Sequence, residues 1–243
     1  MLEDYPLFVL TMRGDETRRA PLVHWLEAKG IEYELLFGVD GRKGLGSEWE
    51  ASIDRDRAEE KMGRAMGDSE FACALSHQEA YRIVLERDLP GAVVLEDDAV
   101  PNEAFARFLS MRGYLQAEMI LLDHSNTRVS RTTVDLGSGF VGHRVVMSPF
   151  LATGYSVSAK AAAQIREMSL PISFVPDWPC DISKVGAIAV MPRPVGHVQP
   201  TLDHSHLEHD RQVRQRRFRR FLTGAYWLRW WRKHTAMRLP DAE

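Results

Sequence analysis

Apolar and polar positions along this chain switch between two periods. Leu7 to Met12, LFVLTM, is a short continuous apolar run, the pattern of a strand buried on both faces. The polar stretch after it gives way to Leu22, Trp25 and Leu26 at helical spacing, and Gly30 fits the end of that helix because glycine enters left-handed backbone without steric cost. IEYELLFGVDG, residues 31–41, restores a strand pattern, so the chain opens strand–helix–strand, the unit of a parallel sheet. Residues 42–68 are charged and weakly periodic, which predicts a long excursion or flap outside the core. A helix is predicted from about Glu70 to Arg87, with Phe71, Ala74, Leu75, Ala80 or Tyr81, and Val84 inward and Asp68 or Ser69 as its cap. Ala92 to Leu95 is a buried strand, and EMILLDHS, residues 118–125, is another with Asp123 and His124 at its end. Residues 126–143 read as a polar, Gly-rich loop. Residues 151–168 read as strand, then helix from near Ser158, and AIAVMPRPVGHV, residues 187–198, as a late strand ended by prolines. The fold class predicted is α/β.

Glu96, Asp97 and Asp98 follow the Ala92–Leu95 strand directly. In open α/β sheets ligands bind beyond the carboxyl ends of the strands. Carboxylates a few Å apart repel by roughly 1 to 4 kcal/mol, so such a cluster calls for a cation or a proton. Hard oxygen donors select Mg²⁺ or Mn²⁺, either of which can hold a diphosphate. Strand alternation puts Glu96 and Asp98 on one side and Asp97 on the other, with one carboxylate toward a ribose or a metal-bound water and one on the metal. The competing reading is an acidic turn before the next helix, with Asn102 as N-cap for residues 103–112.

The 243 residues, 44% apolar and 27% charged, suffice for one large or two small globular domains. Cys73 and Cys180 lie far apart with no CxxC or His-rich spacing, which predicts reduced thiols rather than a disulfide or a zinc finger. No run approaches 18 apolar residues, and MLEDYPLFVLTMRGDE carries acids where a signal peptide carries bases, so a cytoplasmic protein is expected. Charge is unevenly spread. Of 31 basic and 34 acidic residues, ten basic and two acidic lie in 211–243, leaving 21 and 32 in residues 1–210, a balance of −11. The chain therefore divides into a body, 1–210, and a basic aromatic tail, 211–243.

Three segments in order, LTMRGDETRRAPLVHWLEAKGIEYELLFGVDGRKG, SEFACALSHQEAYRIVLERDLPGAVVLEDDAV, and TGYSVSAKAAAQI followed by VPDWPCDI, resemble glycosyltransferase family 25, the lipopolysaccharide and lipooligosaccharide galactosyltransferase family. CALSHQEAYRIVLE joined to VVLEDD is the most specific element. The resemblance implies a GT-A type fold, a Rossmann-like sheet binding a nucleotide sugar, usually a UDP-hexose such as UDP-galactose, with Mn²⁺ or Mg²⁺ on an Asp-x-Asp-like motif. Here Glu96 stands in place of the first Asp. Inverting transfer to a lipopolysaccharide or related saccharide acceptor is the implied reaction. EFACALSH lacks the family's usual Gly, and PDWPCDI matches only loosely.

On this reading Asp98 holds the metal, Glu96 faces the ribose or shares the metal, and Asp97 supports. His204 or His206 is a candidate completing ligand, against a solvated loop. Asp177 is the first candidate for the base and Asp181 the second, with Trp178 either stacked on a sugar or in the core. His77 takes a nucleotide-facing role from the resemblance and would otherwise be a satisfied structural residue. Arg13, Arg18 and Arg19 follow the first strand, where cations can meet a diphosphate or simply be solvated. In the tail, Phe218, Phe221, Leu222, Ala225, Leu228 and Trp231 recur at helical steps among arginines. That pattern suits an anionic membrane surface or packing on the acidic body, with nucleic acid disfavoured because the body would repel it. The rival classes are a catalytically silent nucleotide-sugar-binding or partner-recruiting module and a nucleotide-sugar hydrolase.

Overall fold

A computed structural model describes residues 4–125, 127–198 and 234–240. The two apolar runs read from the sequence lie side by side in a sheet, near one of its edges. β1 (Leu7–Thr11) lies between β2 (Glu34–Phe37) and β3 (Gly91–Glu96), parallel to both. Strand alternation splits β1 and β3 cleanly. Leu7, Val9, Val93 and Leu95 pack with Leu22 and Leu26 of α1 (Glu16–Ala28) and with Phe105 and Phe108 of α4 (Glu103–Ser110). Phe8, Leu10, Ala92 and Val94 pack on the opposite face, with Ala80, Tyr81 and Val84 of α3 (Asp68–Glu86) and Ile165 of α5 (Ala159–Ser169). The result is a helix–sheet–helix sandwich.

The sheet is mixed rather than parallel throughout. Its nine strands run β11-β6-β7-β9-β5-β8-β3-β1-β2. β8 (Gly154–Ser158) is antiparallel to both β3 and β5 (Met119–Leu121), and β5 is parallel to β9 (Ile188–Met191). Hence β1, β2, β3, β5 and β9 share one direction, and the amino end of β8 meets their carboxyl ends along one edge.

Two segments correct the sequence reading. Residues 126–143 do not form a loop. Beyond residue 126, which is not described, β6 (Arg128–Gly137) and β7 (Phe140–Met147) make a hairpin. Ser138 and Gly139 turn it with φ of 51° and 82°. Thr132 to Asp135 face solvent, so β6 shows no apolar alternation to read. Nor are residues 42–68 outside the core. A 3₁₀ turn, Ser47–Ser52, leads into α2 (Arg55–Met62), whose N-cap Asp54 accepts from the Arg57 N–H. Ile53, Ala58 and Met66 then join Phe71, Leu75 and Ile172 in a third apolar cluster.

Other details shift less. α3 starts at Asp68 rather than Glu70, and its leading N–H, on Gly67, is taken by the Glu70 carboxylate rather than by Asp68 or Ser69. Asn102 does cap α4, accepting from the Ala104 N–H at 2.9 Å. α5 begins where the sequence placed it, and Ser158 caps it by accepting from the Ala161 N–H. The late strand is two, β9 and β10 (Val195–His197), and β10 pairs with β4 (Ala99–Pro101) as a separate ribbon beside the acidic turn. β11 (Met237–Arg238) joins the sheet edge against β6, with Leu239 buried and bonded to Thr127.

Candidate active site

Strand β3 ends at Glu96, and the chain turns at Asp97 and Asp98, so the alternation expected across the three acids stops after the first. Glu96 points to α3, accepting from His77 Nε2 at 3.0 Å. Asp97 and Asp98 instead share one partner, Arg18 near the start of α1. Its Nε lies 3.0 Å from Asp97 and its Nη2 2.7 Å from Asp98. The Thr11 hydroxyl, at the end of β1, donates to the second Asp97 oxygen at 2.8 Å. Asp97 and Asp98 therefore share a partner while Glu96 is bonded to α3, and the Glu96 charge is still felt at Asp98.

Burial dominates the electrostatics. It pushes the Asp97 carboxyl up to about 6, against the pull of Arg18 and Thr11. Asp98 is raised too, by burial first and by Glu96 second. The Arg18 guanidinium is raised despite its own burial because Asp98 and Asp97 flank it. One lone-pair site is left over: Asp98 Oδ1 is buried with no hydrogen-bond partner among the described residues. A buried, unpaired anionic oxygen fits a hard cation, the donor type that Mg²⁺ and Mn²⁺ require.

The neighbouring strand ends bring further groups to this edge. Asp123, fully buried just past β5, accepts from His197 Nδ1 of β10 at 2.8 Å and from Arg193 at 3.3 Å. That hydrogen bond raises the His197 pKa. His197 Nε2 has no hydrogen bond among the described residues. Sequence reading placed Asp123 at a strand end but gave neither it nor His197 a role; a carboxylate one strand away from a histidine after a Pro-x-Pro break leaves no spacing signal. Tyr155 of β8 was also missed. Its hydroxyl meets His77 Nδ1 at 2.9 Å, and its ring packs edge-on against Trp178 at 5.3 Å.

The remaining candidates separate. Asp177 Oδ2 accepts from the Leu151 N–H at 3.3 Å. Asp181 caps a 3₁₀ turn, Ile182–Val185, through Ser183. Trp178 is 1% exposed and donates to the Leu151 carbonyl, so it is core and not a sugar platform. Arg13 stacks on Phe37 at 4.3 Å and Arg19 pairs with Glu16, so neither reaches the acids in this arrangement. His204, His206 and residues 211–233 lie outside the described residues. A cavity of about 220 Å³ between β2 and α3, lined by Leu36, Phe37, Val39 and Trp49, contains none of these carboxylates.

The geometry defines an α/β protein whose acid-rich corner lies at the carboxyl ends of co-directional strands, the position at which such sheets bind ligands. Residues 5–181 match the family model of Glycosyltransferase family 25 (LPS biosynthesis protein). The chain belongs to that family. Among curated proteins it is similar to procollagen galactosyltransferase 2 of Mus musculus, 26% identical over 106 residues, which are 42% of this chain and 17% of that relative's length. A solved structure, A197 from STIV, aligns over 81% of this chain and 86% of that one with a TM-score of 0.45 and 15% identity.

Proposed function

We propose that the chain is a metal-dependent, inverting glycosyltransferase of GT-A type. It would move a hexose, galactose from UDP-galactose in the first instance, onto a lipopolysaccharide or related saccharide. The observation that carries this reading is the buried Asp98 Oδ1, without a partner among the described residues, beside Arg18 at the carboxyl end of β3 in a family 25 chain.

Asp98 and Glu96 are the residues that would hold Mn²⁺ or Mg²⁺. Bound there, the ion would neutralise charge on the departing diphosphate. Arg18 adds a fixed positive charge at the same corner, delivered by α1, whose N-terminal N–H groups add to the field. Thr11 holds Asp97 in place by donating to it, so that Asp97 supports Arg18 rather than a ligand directly. His77, locked between Tyr155 and Glu96, fixes the Glu96 carboxylate toward the ribose side. Asp177 is the base we assign for the acceptor hydroxyl. Its Oδ2 is oriented by the Leu151 N–H, whereas Asp181 is engaged in capping. The acceptor, if it is a glycolipid, sits in a membrane, and the ten basic residues of the tail suit an anionic surface at about 1 kcal/mol per cation.

The test is UDP release from UDP-galactose with Mn²⁺ and a saccharide acceptor. Asp98→Ala should lower turnover by roughly 10²- to 10³-fold, the range seen when one electrostatic stabiliser is removed. Equal turnover in wild type and variant defeats the metal role. Free galactose appearing at the same rate without acceptor would instead identify a hydrolase.

A further inference from the structure

A second donor set lies beside the acidic turn and differs from it in chemistry. Cys73 and His77 are one turn apart on α3, so both side chains face the end of β3. The Cys73 sulfur, a His77 ring nitrogen and a Glu96 oxygen all lie within 4.8 Å of one another. A tetrahedral ion with bonds of about 2.0 to 2.3 Å sets its ligands about 3.3 to 3.8 Å apart, within reach of small rotamer changes. His77 is 2% exposed and Glu96 24%, so the cluster is buried at His77 and reaches solvent at Glu96. Tyr155 holds His77 Nδ1 from behind, the outer hydrogen bond that metal-bound imidazoles use to fix their orientation. Tyr155 in turn packs against Tyr81 and Trp178, so this support is rigid.

We propose that Cys73, His77 and Glu96 form a binding site for a thiophilic divalent cation, Zn²⁺ by ligand type, with a fourth position open to solvent beside Glu96. One sulfur, one imidazole and one carboxylate form a soft-to-borderline set, unlike the all-oxygen corner at Asp98. Binding balances as follows. The thiol proton leaves to solvent as the sulfur–metal bond forms. The imidazole stays neutral, its proton passing from Nε2 to Nδ1, where the Tyr155 oxygen accepts it. One proton is released per ion. Glu96 bound in this way is withdrawn from the ribose role assigned above, so a thiophilic ion and the donor exclude each other. The site itself goes beyond the proposed transferase reaction and does not depend on it; only the exclusion of the donor rests on that reading.

Co²⁺ titrated into the full reduced chain should give one thiolate-to-cobalt charge-transfer band per chain, displaced by Zn²⁺, and calorimetry in buffers of different ionisation enthalpy should count one proton released. Cys73→Ser should abolish the band, while Cys180→Ser and Asp98→Asn keep it. Tyr155→Phe should weaken Co²⁺ binding by about 10- to 100-fold. Circular dichroism establishes that each variant is folded, and His77→Gln supplies a second ligand variant with no cysteine change. No charge-transfer band in the wild-type chain, or a band that survives Cys73→Ser and vanishes in Cys180→Ser, overturns the site. So does a wild-type band left unchanged by His77→Gln.

Discussion

Arg18 is the residue on which the acidic turn depends. Asp97 is 6% exposed and would be an uncompensated buried charge without it. Losing one partner of a fully buried pair costs roughly 3 to 5 kcal/mol, and with Arg18 35% exposed the expected cost of Arg18→Ala is nearer 2 kcal/mol. Urea unfolding of the variant at neutral pH measures this, and no change in midpoint would show the turn to be held by other means. His197 offers a pH-dependent case. Its pKa is raised by the Asp123 hydrogen bond, so the stability it adds is fully present below the unfolded value of about 6.5 and is lost as pH rises through the folded one. The stability gap between wild type and His197→Gln should therefore shrink as pH climbs from about 6.5 upward. A gap constant across that window contradicts the pairing. What the sequence made legible at this scale was the carboxylate triplet and its place at a strand end. Which acid faces which partner was not legible, because the chain leaves extended geometry at Asp97 and period-two alternation no longer applies.

At the level of elements, legibility followed burial. β1, β3, β8 and α3 are packed on apolar neighbours and carry the periodicity that identifies them. β6 has one face to solvent over most of its length and reads as polar sequence. The segment 42–68 has no regular apolar period, yet Ile53, Ala58 and Met66, with Leu45, Trp49 and Met62 packed against them, pin it to α3. That packing depends on close approach at Gly41. A Cβ there would stand 2.5 Å from the Asp68 carbonyl oxygen and 2.7 Å from the Ala72 side chain. Because the first of these is backbone at the start of α3, Gly41→Ala should destabilise by about 1 to 3 kcal/mol, the usual cost of overpacking. Thermal unfolding checks this, and an unchanged midpoint would mean that the 42–68 segment does not press on α3 as described.

At the scale of the whole molecule, strand direction explains why residues from distant parts of the sequence meet. Thr11, Glu96, Asp123 and His197 follow or end strands that run the same way or flank them, and Asp177 is anchored at Leu151, just before β8 enters from the same edge. The order of strands in the sheet is not written in local periodicity, so this convergence was invisible from sequence apart from the family resemblance. The basic tail bears on how its membrane role is tested. Since β11 and Leu239 are attached to the body beyond residue 233, truncation at Asp210 would strip a sheet strand as well. Replacing Arg214, Arg216, Arg217, Arg219 and Arg220 by Gln in the full chain avoids this. Flotation with anionic vesicles should then be lost, and retained flotation contradicts an electrostatic anchor. The most direct test of the central claim, a divalent cation on Asp98 holding the donor diphosphate, is UDP affinity by calorimetry with and without Mn²⁺. Mn²⁺ should tighten UDP binding in wild type by at least about tenfold, near 1.4 kcal/mol, and leave Asp98→Ala unaffected; UDP affinity indifferent to Mn²⁺ in wild type, or equally enhanced in the variant, contradicts it.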